Sequence, residues 1–114
     1  MPDSTKLLVI WSSADREVAL HNVFMYAHNA SKRGWWAQVR LLVWGPSATL
    51  LAGDQELQDK LRAMQDDGVE VMACKACSDR LGATQALEQL GVNVFYVGTT
   101  LTEMLKSGWV TLTY

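Results

Sequence analysis

Short apolar runs alternate with helix-period segments along the chain, and this alternation restricts the fold more than any other feature. Lys6 to Trp11 is dominated by Leu, Val and Ile and shows no polar alternation, the pattern of a strand buried on both faces. Similar short runs recur at 38–44, 69–73, 93–97 and 109–114. Between them lie helical patterns. Across 15–33, Leu20, Val23, Phe24, Ala27 and Ala30 share one face, with Gly34 as the stop. Residues 47–52 allow one or two turns. Asp54 is an N-cap for a helix carrying Leu57, Leu61 and Met64, ended by Gly68. Shorter helical pieces cover 75–81, 84–90 and 101–106. Strands alternating with helices predict an α/β fold, a three-layer α/β/α sandwich around a five-stranded parallel sheet.

The chain has 114 residues, the length of a single domain, and no linker or repeat divides 1–114. Ten Lys and Arg against twelve Asp and Glu leave a net charge of -2, which argues against a nucleic-acid or membrane-surface binder. Hydrophobic residues at 49% argue against disorder. No run approaches the ~20 apolar residues of a membrane span, and the first six residues lack the apolar core of a signal peptide. Two cysteines without a targeting segment read as reduced cytoplasmic thiols rather than a disulfide framework.

In an open parallel sheet, ligands bind beyond the carboxyl ends of the strands. Those ends bring Trp11-Ser12, Trp44-Gly45-Pro46, Cys74 and Gly98-Thr99 to one rim. Cys74 lies where a strand passes into a helix, and unpaired helix N–H groups favour a thiolate there. Lys75 and Arg80 add positive charge, while Asp79 opposes it. Cys77 is one helical turn on, placed to attack a modified Cys74. The same pair also reads as two half-buried cysteines packing as small apolar groups. Trp11 and Trp44 either wall an apolar pocket near Cys74 or cap the core. Gly98-Thr99 at a helix start either holds an anion or simply turns the chain. Ser12 lacks the context of a hydrolase nucleophile. No nucleotide-binding glycine motif is present, and no cofactor is implied. One cysteine pair falls short of a four-ligand zinc site, so no metal centre is expected. His21 and His28 read as exposed or interface residues.

Val18 and Met25 fall on the outer arc of the first helix, beside His21, His28 and Asn29, and Trp35-Trp36 follows in a loop. That is more apolar surface than a small monomer leaves wet, so the pattern predicts a closed homo-oligomer through this helix or loop.

The segment Ala73-Cys74-Lys75-Ala76-Cys77-Ser78-Asp79-Arg80-Leu81-Gly82 resembles the cysteine region of the small DsrE-like proteins (DsrE/DsrF and YchN-like). Trp44-Gly45-Pro46-Ser47 with Leu50-Leu51-Ala52, and Leu90-Gly91-Val92 leading to Tyr96-Val97-Gly98, agree with it. The resemblance runs from about Lys6 to Thr113. It implies the strand order 4-3-2-1-5, flavodoxin-like in outline, and assembly as trimers or hexamers. It also implies a role in sulfur trafficking: Cys74 occupies the position that carries a persulfide between a donor and an acceptor protein. Cys77 has no counterpart in the relay subunits and suits the small branch of the family. Three readings follow: a persulfide carrier or sulfurtransferase-related protein at Cys74, a non-catalytic oligomeric binding module, and thiol-redox or soft-metal capture by the C-x-x-C pair.

Overall fold

The computed structural model describes residues 3–114. Five strands, β1 (Asp3–Trp11), β2 (Gln38–Val43), β3 (Glu70–Cys74), β4 (Asn93–Phe95) and β5 (Trp109–Thr113), form one parallel sheet in the order β4-β3-β2-β1-β5. The helices are α1 (Arg16–Val18), α2 (Met25–Lys32), α3 (Ser47–Gly53), α4 (Gln55–Asp66), α5 (Lys75–Arg80), α6 (Thr84–Gln89) and α7 (Gly98–Lys106). The predicted α/β/α architecture and strand order are those observed.

Handedness explains how the helices divide. The chain steps from β1 through β2 and β3 to β4 in one direction, then crosses back to place β5 beyond β1. Right-handed crossovers put the helices of the first three steps on one face and the helix of the return step on the other. The observed packing agrees. Leu7, Val9 and Trp11 of β1 pack with residues from α2, α3, α4 and α6. Leu8 and Ile10, pointing the opposite way, pack with Leu42, Met72, Cys74, Val97 and Met104 beneath α7. The second cluster is much the smaller. Among the described residues no helix is long and apolar enough to cross a membrane.

Local details differ from the sequence pattern. The first helix runs from α1 into α2 through a π-helical segment, Ala19–Phe24. A π turn places residue i beside i−5 rather than i−4. Ala19 therefore joins Phe24 in the fully buried stripe, and Leu20, expected there, is only partly buried. Trp44 lies outside β2 and is 39% exposed. β4 is two residues shorter than expected, because the chain turns at Tyr96 and α7 begins at Gly98 rather than near Leu101. Asp54 caps α4 as expected, its carboxylate accepting from the Leu57 N–H at 3.1 Å. It also accepts from the Arg16 guanidinium, which ties α1 to the start of α4.

Candidate functional site

The strand ends along one rim are fixed by register. Trp11 pairs with Val43, Val43 with Ala73, and Cys74 with Phe95. The chain leaving β3 continues through α5 to α6 on the first face, whereas the chain leaving β4 enters α7 on the second. Neighbouring strands whose exits diverge leave a crevice between them, the switch point at which open α/β sheets bind ligands. Here that crevice lies between Cys74 and the β4 exit, Tyr96-Val97-Gly98.

Cys74 is the last residue of β3 and the N-cap residue of α5, with extended backbone (φ -75°, ψ 114°). Alternation along β3 sends its side chain to the second face, where it packs with Met72 and Val97 and is 8% exposed. Cys77, half-buried, packs against the same cluster. The two thiols are neighbours in that cluster, one helical turn apart. Burial, first, and then the neighbouring Cys74 push the Cys77 thiol above the ordinary thiol range, while the Gly45 backbone N–H and the charge of Arg80 act the other way. Gly45 holds φ +80°, a conformation open mainly to glycine, at the turn that follows β2.

The other predicted site residues are placed as follows. Lys75 donates to Asp79 at 2.7 Å and lies 5.8 Å over the Tyr96 ring, so its charge is compensated within α5. Asp79 also accepts from Thr84, whose hydroxyl is 2.7 Å from that of buried Ser78. This network pins the first turn of α5 to α6. Arg80 is exposed and is the cation whose field reaches Cys77. Gly98 and Thr99 open α7 directly after buried Val97. Ser12 donates to the Tyr114 carbonyl at 2.9 Å, a bond that closes β5 against β1. Trp44 adjoins Gly45 at the rim.

Trp11 corrects the pocket-wall expectation. Its register partner across the sheet is Val43 and then Ala73, so it points to the face opposite Cys74. It is fully buried and meets Phe24 edge to face, with ring centroids 5.1 Å apart. Trp11 caps the core. Its indole N–H is the buried side-chain polar atom left without a partner among the described residues.

Phe95 escaped the sequence reading, and so did the approach of Gly45, already placed on the rim, to Cys77. Strand order would have found both, since it makes the ends of β2 and β4 flank β3. A cleft of about 500 Å³ opens toward the amino ends of β3 and β4, lined by Arg40, Glu70, Met72, Asn93, Phe95 and Thr100 among others. Cys74 does not line it. No three His, Cys, Asp or Glu side chains come together as a metal site among the described residues. His21 pairs with Glu17, and His28 with Asp67.

The profile of the DsrE/DsrF-like family matches residues 6–114. Among solved structures, a conserved protein of unknown function from Bacteroides thetaiotaomicron, BT1422, is similar at 33% identity and a TM-score of 0.93, over 96% of this chain and 95% of that one. The YchN protein of E. coli shares the fold at 20% identity and a TM-score of 0.77, over 96% of this chain and 99% of that one. No curated protein matches the sequence.

Proposed function

The chain belongs to the DsrE/DsrF-like family, and from that premise we propose that Cys74 carries sulfane sulfur as a persulfide. The observation that supports this reading most is the position of Cys74 at the β3–β4 switch point, with a second thiol one helical turn on in the same cluster.

In the loading step the Cys74 thiolate attacks the outer sulfur of a hydropersulfide donor, R–S–SH. The donor's sulfur–sulfur bond breaks, and its electron pair leaves with the thiolate RS⁻. Cys74 is left as Cys–S–SH, which loses its proton at neutral pH. Cys77, one helical turn on in the same cluster, lies beside the sulfur that is loaded. Because Cys74 is 8% exposed, the donor must present its sulfur at the end of a thin chain, as a persulfide or polysulfide does. Donor and acceptor proteins are the partners this reading requires, in a compartment that keeps both cysteines reduced.

Intact mass after exposure to inorganic polysulfide tests the reading. The expected adduct is one sulfur atom, retained in Cys77→Ser and lost in Cys74→Ser. Equal uptake by the Cys74→Ser protein overturns the assignment.

A further inference from the structure

Two different attacks can unload a persulfide. A thiol that attacks the outer sulfur carries it away. A thiol that attacks the inner sulfur forms a disulfide and expels the outer sulfur as sulfide. Which happens depends on which sulfur can be reached. The inner sulfur here is that of Cys74, in a residue 8% exposed and packed among Met72, Val97 and Met104. An external thiol finds that atom shielded. Cys77 packs against the same cluster, one helical turn on.

We propose that Cys77 resolves the Cys74 persulfide, so that the sulfur leaves as hydrogen sulfide and the protein is left with a Cys74–Cys77 disulfide. The inference rests on persulfide formation at Cys74.

Spacing permits the bridge. Residues three apart in a helical turn have Cα atoms about 5 Å apart, inside the window disulfides occupy. The reaction balances as Cys74–S–S⁻ plus Cys77–SH giving Cys74–S–S–Cys77 plus HS⁻. The Cys77 proton passes to the outer sulfur. A bond forms between the two cysteine sulfurs, and the persulfide bond breaks with its electron pair going to the departing sulfide. The Cys77 sulfur is oxidised and the outer sulfur is reduced. The Gly45 N–H and the field of Arg80 both favour charge on the Cys77 sulfur as its proton leaves.

The disulfide must then be reduced before another sulfur is taken. The co-reactant is a dithiol, which leaves as its own disulfide and restores both cysteines. The protein would stand between a reaction that generates sulfane sulfur and one that consumes sulfide, drawing two electrons from a dithiol at each turn.

The experiment loads wild type, Cys77→Ser and Cys77→Ala with inorganic polysulfide without oxygen, removes the excess, and follows intact mass and free sulfide. In wild type the one-sulfur adduct should give way to a chain two hydrogen masses lighter than the reduced form, with one sulfide released per chain. A dithiol should restore the reduced mass. Both variants should keep the adduct and release no sulfide. If wild type holds its adduct as long as the variants do, the resolving role is overturned while the persulfide reading survives. If neither the wild type nor the variants take up sulfur, both fall.

Discussion

Trp11 and Cys74 close strands at one rim of the sheet yet face away from each other. The register that aligns Trp11 with Val43 and Ala73 leaves Cys74 one residue further on, and one residue along a strand reverses the face. The helix-rich side of the sheet is thus the structural core, and the cysteine pair lies on the thinly covered side beneath α7.

That separation predicts the effect of Trp11→Phe. The smaller ring leaves a void but also removes a buried N–H without a partner. The two effects oppose each other, and the net cost is expected to stay below about 2 kcal/mol. Denaturant melts give the cost, and intact mass should show sulfur uptake unchanged. Loss of uptake in a folded Trp11→Phe protein contradicts the two-face arrangement.

Cys77 should be the slower thiol. Its proton is held by burial and by Cys74. Small alkylating reagents at neutral pH should modify the Cys77→Ser protein, which retains Cys74, faster than the Cys74→Ser protein. A comparable rate in the latter refutes the ordering.

The same shift sets a pH dependence. A group whose folded-state value is raised binds more proton in the folded chain than in the unfolded one over the interval between the two values. Stability is therefore present below the ordinary thiol value of 9.0 and is lost as pH rises from there through the folded value. Cys77→Ser should flatten that decline, as measured by denaturant midpoints across alkaline pH.

Charge near the pair should act through Arg80 rather than Lys75. Arg80 favours the Cys77 thiolate, whereas Lys75 is bound to Asp79 and lies over Tyr96. Arg80→Gln is expected to move the alkylation midpoint of Cys77 upward, and Lys75→Gln to leave it in place. The reverse result would assign the field to Lys75.

Assembly is the fifth prediction. Met25 is 55% exposed and Trp35 56%, on a surface that also carries Tyr26 and Tyr114. Trp36 turns inward, donating its N–H to the Tyr26 hydroxyl at 3.1 Å. Light scattering is expected to give a mass several times the 12.7 kDa of one chain. The double variant Met25→Glu with Trp35→Glu should dissociate it into folded monomers. A wild-type mass of one chain, unchanged on concentration, ends the proposal.

The sequence by itself determined the element order, because burial leaves its period in the residues. Leu57, Leu61 and Met64 recur at helical spacing and are all fully buried, and the unbroken apolar run before Ser12 is the strand covered on both faces. It also marked Cys74 as a strand-end thiol beside Cys77. Tertiary structure alone decided the rest. The π turn that exchanges Leu20 for Ala19 depends on backbone hydrogen bonding that side-chain periodicity does not record. The burial of Trp11 away from Cys74 depends on register, which the pairing of distant strands fixes. The capture of Lys75 by Asp79 was open to a helical spacing argument, but its approach to Tyr96 was not. The contact of Gly45 with Cys77 arises only because β2 lies beside β3, which brings residues 32 apart in sequence to one rim. Local pattern specifies what each segment becomes, and long-range pairing specifies which atoms meet.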